Sequence, residues 1–246
     1  MLKIVIKYLL KTCGYNIAKN DPNFLIYPRN QTNEGILHEI LEIKKVNLIL
    51  DVGANSGDWA LDLRNGGYNG KIISFEPLTT EFDSLSKKSL KDSNWDTLNL
   101  AIGDKNCISQ INIANNSVSS SLSKILDTHT TAEPDSKIIM REDVEVQSLN
   151  NFKHKWIDSS ESIFLKLDVQ GFEKKVLDGA TLILDSIKVI QIEMSFKQLY
   201  SDDLCFDDMK SFLESSGFCL YHIQNGFRCA ETKELFQVDA IFINKT

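Results

Sequence analysis

The residues able to do chemistry in this chain stand at the ends of apolar runs. The stretch Asn47-Leu-Ile-Leu-Asp51-Val-Gly53-Ala-Asn55-Ser-Gly57-Asp-Trp59 passes from an apolar strand to a carboxylate, then to a turn of small residues and a helix start. A second run, Lys71-Ile-Ile-Ser-Phe75, ends in another acid, Glu76. A sheet that holds a nucleoside-bearing ligand uses such a pair. Glycines let the backbone approach the ligand, a helix N-terminus offers free N–H groups, and the second acid can accept from two ribose hydroxyls.

The spacing narrows the ligand. A dinucleotide site reads Gly-x-Gly-x-x-Gly, whereas this turn is Gly53-x-Asn55-x-Gly57 with no third glycine three residues on. No Gly-Lys-Ser/Thr follows, which excludes a phosphate-binding P-loop. Asp51 would repel a pyrophosphate and suits a positive group, such as the α-amino end of S-adenosylmethionine. The competing reading is a strand–turn–helix connection that binds nothing.

Several blocks in order make the pattern specific. Asp51-Val-Gly-Ala-Asn-Ser-Gly57, Phe75-Glu76-Pro77, Ala101-Ile102-Gly103-Asp104, Leu165-Lys166-Leu-Asp168-Val-Gln-Gly171-Phe-Glu173, Val176-Leu-Asp-Gly179-Ala180 and Glu193 together resemble the FkbM family of S-adenosylmethionine-dependent O-methyltransferases over about residues 45–245. The closing Phe236-Gln-Val-Asp239-Ala-Ile-Phe-Ile243 is also similar. One departure is Leu149-Asn150, where the family pattern has Leu-Asp. The resemblance implies a Rossmann-like class I methyltransferase fold, with a mostly parallel seven-stranded sheet, an antiparallel edge hairpin and helices on both faces. It implies S-adenosylmethionine as cofactor, bound by Asp51, Gly53, Ala54, Asn55, Ser56, Gly57, Glu76, Pro77, Ala101 and Ile102. Sugars and macrolide-type natural products are the acceptors it implies.

The pattern of elements agrees. A helix is expected over 34–45, strands over 46–51 and 71–75, then a helix with Thr80 and Asp83 in capping-box spacing. Strands at 97–101, 110–113, 163–167 and 189–193 follow, with Val144 and Val146 alternating like an edge strand. Phe172, Val176, Leu177, Ala180, Ile183 and Leu184 keep helical spacing, and 206–216 reads as a further helix. The runs 219–223 and 238–244, joined by Gly226, read as an antiparallel pair. Alternation of this kind builds an α/β sheet covered on both faces. The division expected is an N-terminal helical extension over 1–45 and a methyltransferase domain over 46–246.

In such sheets ligands sit beyond the carboxyl ends of the strands, which puts Asp51, Glu76, Ala101, Asp168 and Glu193 on one rim. Lys166 and Asp168, two apart on a strand, share a face. Asp168 could take the proton of an acceptor hydroxyl, with Lys166 holding it ionised and Glu193 orienting the acceptor. The alternative is a structural Lys166–Asp168 ion pair. No histidine, cysteine or carboxylate spacing marks a metal site. Ser119-Ser-Ser121 and the polar segment to Met140 read either as a lid over the cofactor or as solvated loop. Phe227, Arg228 and Glu231 are candidates for acceptor specificity.

Composition excludes whole classes. The 246 residues suffice for one core, and the net charge of −7 disfavours nucleic acid as a partner. Five cysteines, Cys13, Cys107, Cys205, Cys219 and Cys229, show no paired spacing and point to reduced thiols and a cytoplasmic location. No apolar run is long enough to span a membrane, and a cleaved signal peptide is disfavoured because lysines interrupt the first apolar stretch and no small-x-small site follows. Lys3, Lys7 and Lys11 recur at helical spacing among apolar residues, so residues 1–12 could touch a membrane surface peripherally or pack on the domain. Two other functions stay open. A nicotinamide-dependent oxidoreductase is disfavoured by the missing glycine and the lack of Tyr-x-x-x-Lys, and a non-catalytic relative is disfavoured by the intact acids.

Overall fold

A computed structural model describes residues 32–153, 157 and 161–245, together with the backbone of two short strands. Those strands, β1 (Tyr15–Ile17) and β2 (Ile26–Pro28), pair antiparallel within the stretch expected to be a helical extension. The basic helix expected over residues 1–12 lies outside the described residues.

The centre is a seven-stranded sheet. Its members are β3 (Leu48–Val52), β4 (Lys71–Phe75), β5 (Trp95–Leu98), β9 (Ile163–Leu167), β10 (Ile187–Ser195), β11 (Phe218–Asn225) and β12 (Gln237–Asn244). The order across the sheet is β11-β12-β10-β9-β3-β4-β5. The strands from β10 to β5 run parallel, and β12 is antiparallel to both β10 and β11. Every residue of β3 and β9 is buried, as a parallel sheet covered on both faces requires. One face packs on α1 (Asn33–Ile43), α2 (Asp58–Gly66) and α3 (Thr79–Ser89) through Leu37, Ile40, Ala60, Leu63 and Leu85. The other packs on α5 (Glu173–Asp178) and α6 (Phe206–Ser215) through Val176, Leu177, Met209 and Leu213.

A second sheet stands beside the first, in the order β6 (Ala101–Ile102), β8 (Ile138–Gln147), β7 (Cys107–Ala114). Between β7 and β8 lies a short helix, α4 (Asp127–Ala132). The single strand expected over 97–101 is therefore two. Asn99 turns the chain by donating its side-chain amide to the carbonyls of Glu76 and Pro77, and Ala101 then pairs with Val146 of β8. Two further expectations are corrected. Thr80 and Asp83 form no capping box, because α3 starts from Leu78 with no side-chain cap. The helix after β9 is also shorter than its spacing suggests. The Gly179 carbonyl is taken by Ser148 Oγ and the Asn150 N–H, and Asn150 Oδ1 captures the Leu182 N–H, so a turn replaces further helix.

One polar row crosses this apolar sheet. Asp51 lies in register with Ser74 on one side and Lys166 on the other. Asp51 is fully buried, and its Oδ2 accepts from Ser74 Oγ at 2.8 Å, which in turn accepts from Trp95 Nε1 at 3.0 Å. Its Oδ1 faces Lys166 Nζ at 3.4 Å, and the same ammonium is 3.3 Å from Asp168 Oδ2 and 3.4 Å from the Gly53 carbonyl. Burial raises the Asp51 carboxyl, with Lys166 and Ser74 pulling against it. Burial also works against the Lys166 ammonium, but Asp168 and Asp51 outweigh it and hold the group protonated above its ordinary range.

Removing one partner of a buried pair leaves an uncompensated charge. Lys166→Met is expected to cost about 3–5 kcal/mol, with Lys166→Met/Asp51→Asn losing less than the sum of the single variants. Asp51 keeps a raised folded-state pKa in Lys166→Met. Its contribution to stability is therefore full below the unfolded value of about 4 and is lost as pH rises. Urea denaturation at pH 5 and pH 8 checks both points; additive losses with no pH dependence would contradict the pairing.

Candidate functional site

Beyond the carboxyl ends of the central strands lies a cavity of about 360 Å³. Its near wall is the turn after β3. Gly53 has a φ of +79°, and a Cβ there would collide with the Asp168 carbonyl oxygen. Asn55 also has a positive φ, 48°, and donates its N–H to Glu76 Oε2 at 2.7 Å. The other carboxyl oxygen of Glu76 accepts from the Leu78 N–H at 2.9 Å. Glu76 thus fastens the turns after β3 and β4 to each other. It is 5% exposed and lines the cavity, and each of its oxygens retains a lone pair for a ligand donor. Burial pushes its carboxyl up to about 7, against the two N–H donors.

Of the residues expected to hold a cofactor, Gly53, Asn55, Glu76, Pro77, Ala101 and Ile102 line the cavity. Asp51, Ala54, Ser56 and Gly57 are not among its lining. Asp51 meets the Lys166 ammonium beneath the turn. Ser56 Oγ turns outward to Asp58, and Gly57 is the left-handed residue from which α2 starts.

The far wall carries the other acids. Asp168 and Glu193 both line the cavity and are joined by one side chain that the sequence reading passed over. Gln170 Nε2 donates to Asp168 Oδ1 at 3.0 Å and to Glu193 Oε2 at 2.8 Å. Tyr200 Oη donates to Gln170 Oε1 at 2.8 Å, which fixes the way the amide faces. Gln237 Nε2 adds a second donor to Glu193 Oε2, at 2.9 Å. Burial, then the charges of Asp168 and Glu173, raise the Glu193 carboxyl well above the usual range. Lys166, expected beside Asp168, does pair with it, but from below the cavity rather than within it.

The loop bearing Asp168 and Gln170 is locked from three sides. Gly171 has a φ of +85°, and a Cβ there would strike the Tyr200 ring. Glu173 Oε1 accepts from the N–H groups of Val169 and Gly171, and its own carboxyl is pushed up to about 8, first by burial and then by Asp203. Ser121 and Ser123 donate their hydroxyls to the carbonyls of Gln170 and Gly171 at 2.6 and 3.2 Å. The serine segment is thus pinned through its hydroxyls, with Val118 exposed. Ser119, Ser121 and Ser123 are buried, and residues 116–122 form a strap over the cavity.

The remaining wall is aromatic. His129 of α4 stands edge-on to Tyr200, with centroids 5.1 Å apart, and 5.5 Å from Phe227. Phe227 and His129 line the cavity. Arg228 turns away to the Lys233 carbonyl and is not part of the lining, nor is Glu231. Asn150, the departure from the family pattern, serves the turn after α5 and lies away from the cavity. Among the described residues no cluster of three metal-ligating side chains occurs, and no helix is long and apolar enough to cross a membrane.

Comparison with known proteins accords with this architecture. The family model "Methyltransferase FkbM domain" matches residues 51–220, more than half of the chain. A methyltransferase FkbM from Methylobacillus flagellatus KT is similar in structure, with 15% identity, a TM-score of 0.47, and 80% of this chain aligned to 43% of that one. The chain thus spans less than half the length of that protein. The plantazolicin methyltransferase solved with S-adenosylhomocysteine aligns at 10% identity and TM-score 0.49, covering 89% of this chain and 85% of its own. The magnesium protoporphyrin IX methyltransferase of Synechocystis PCC 6803, solved with S-adenosylmethionine, gives 8%, 0.45, 86% and 79%. These likenesses are too distant to bear on activity. No curated protein matches the sequence. On the family match, the chain belongs to the FkbM methyltransferase domain family.

Proposed function

We propose that the chain is an S-adenosylmethionine-dependent O-methyltransferase acting on a hydroxyl of a sugar or similar small polyol. The observation that carries the cofactor part of this is Glu76: a carboxyl just after β4, lining the cavity, preset by two backbone N–H groups and still able to accept from a vicinal diol. The rest of the near wall fits the same ligand. Gly53 leaves room for close approach, and Phe75, Ala101 and Ile102 offer apolar contact for an adenine. When bound, S-adenosylmethionine supplies an electrophilic methyl group on a sulfonium.

The chain's own residues do the remainder. A hydroxyl seated by Asp168 donates its hydrogen to that carboxylate, which increases electron density on the oxygen to be methylated. Gln170 and Gln237 hold Asp168 and Glu193 at fixed orientation, so alignment is set before the acceptor arrives. The strap over residues 116–122 limits water. The nicotinamide alternative fits less well, because the Asn55 N–H that would face a pyrophosphate is already given to Glu76.

S-adenosylhomocysteine is expected to raise the melting temperature. Glu76→Ala should weaken its binding by about 1.5–3 kcal/mol. Ribose hydroxyls favour the ionised carboxylate, so binding lowers the Glu76 pKa from its raised value of about 7. Affinity should therefore tighten as pH rises through that window, with release of a proton, and Glu76→Gln should lose the dependence. Thermal melts read the first, and titration calorimetry in buffers of different ionisation enthalpy reads the affinities and the proton release. Unchanged affinity in Glu76→Ala, or no thermal shift at millimolar ligand in folded protein, would remove the assignment.

Asp168→Asn keeps the shape and removes the charge. Single-turnover methyl transfer at saturating cofactor should fall roughly 10²–10⁴-fold, with cofactor affinity little changed. A near-normal rate with weakened cofactor binding would make Asp168 a cofactor ligand instead.

A further inference from the structure

We propose, building on the methyltransferase reading, that the acceptor half of the cavity takes a polyol carrying no negative charge, positioned by His129, and rejects phosphorylated and uronate forms of the same polyol. The first observation is the charge of the wall. On the walls other than that of Glu76, which the ribose would occupy, Glu133, Asp168 and Glu193 line the cavity, and no described lining residue is Lys or Arg. Lys166, below the cavity, is 6% exposed and held between Asp51 and Asp168. The charged neighbours that act most strongly on Glu193 are acids: Asp168, Glu173, Asp239 and Asp203. A phosphate or carboxylate brought here meets repulsion with no counter-charge to offset it.

The second observation is independent of those acids. His129 is 3% exposed, its ring lines the cavity, and its Nδ1 has no hydrogen-bond partner. Burial holds its pKa down to about 4, so the ring is neutral and offers one N–H and one lone pair. That is the complement of a hydroxyl, which both donates and accepts, and it supplies no charge for an anion. Phe227 beside it gives a flat apolar surface for the C–H face of a sugar ring. A buried polar atom without a partner costs stability, and a bound hydroxyl would satisfy it.

The test uses methyl glycosides of common neutral hexoses and 6-deoxyhexoses, each beside its 6-phosphate or uronate counterpart. Binding to the chain saturated with S-adenosylhomocysteine is followed by ligand-detected NMR, and turnover by S-adenosylhomocysteine release from S-adenosylmethionine. At least one neutral member should bind and react, with kcat/KM for its anionic counterpart lower by about a hundred-fold or more. His129→Phe, which keeps the ring packing on Tyr200, should raise KM several-fold while kcat and S-adenosylhomocysteine affinity hold. Glu133→Lys, at the half-buried end of α4, should narrow the gap between neutral and anionic members. An anionic member used as well as its neutral counterpart, or no neutral member binding the complex, overturns the proposal. Failure of S-adenosylhomocysteine itself to bind would instead remove the methyltransferase reading on which it rests.

Discussion

The structure depends on one ammonium. Lys166 sits in the middle of an otherwise apolar parallel sheet, between a buried carboxylate on β3 and the carboxylate that ends its own strand. An ionised group in such a place is tolerated only when its partners are fixed. Asp51 is fixed by register and by Ser74, and Asp168 by Gln170. The same ammonium lies 3.4 Å from the Gly53 carbonyl, at the start of the turn that forms the near wall. Two neighbouring strand ends are thereby drawn together below the cavity, and their following loops open above it, one toward Glu76 and the other toward Glu193.

The two walls divide the work by charge and by rigidity. On the near side Glu76 joins two turns through backbone N–H groups, so the group that would meet a ribose also holds the geometry that positions it. On the far side a single glutamine amide bridges two acids, and a buried tyrosine hydroxyl fixes that amide. Burial raises the Glu193 carboxyl, and the like charges of Asp168 and Glu173 add to it. A proton held there is near at hand for acid–base work. A wall of acids and a neutral histidine also suits a methyl donor that arrives with positive charge and leaves without it.

Much of this was legible in the amino-acid sequence, for physical reasons. β3, β4, β9 and β10 are mostly apolar runs with an acid at or near their carboxyl ends, and the glycines of the first turn mark its positive φ values. What escaped depended on pairings between distant residues. Asp51 at a strand end looks the same whether it faces a ligand or a lysine one strand away; only the register with Lys166 decides. The split of the expected strand at 97–101 rests on the Asn99 amide, and the early end of α5 rests on Ser148 and Asn150, side chains with no periodic signal. The serine strap read as polar loop because its hydroxyls are matched by carbonyls of another loop. Gln170 lay inside a recognised block, yet its role needed Tyr200 and Gln237 to be brought beside it. His129 carried no local signal.

The most direct measurement is a crystal structure of the chain with S-adenosylhomocysteine. The ribose hydroxyls are expected within hydrogen-bond distance, about 3 Å, of the Glu76 carboxylate. The sulfur is expected to face the Asp168–Gln170–Glu193 wall, with Lys166 remaining between Asp51 and Asp168. A ligand whose ribose lies away from Glu76, or whose amino acid end breaks the Lys166 pair to reach Asp51, would contradict this arrangement.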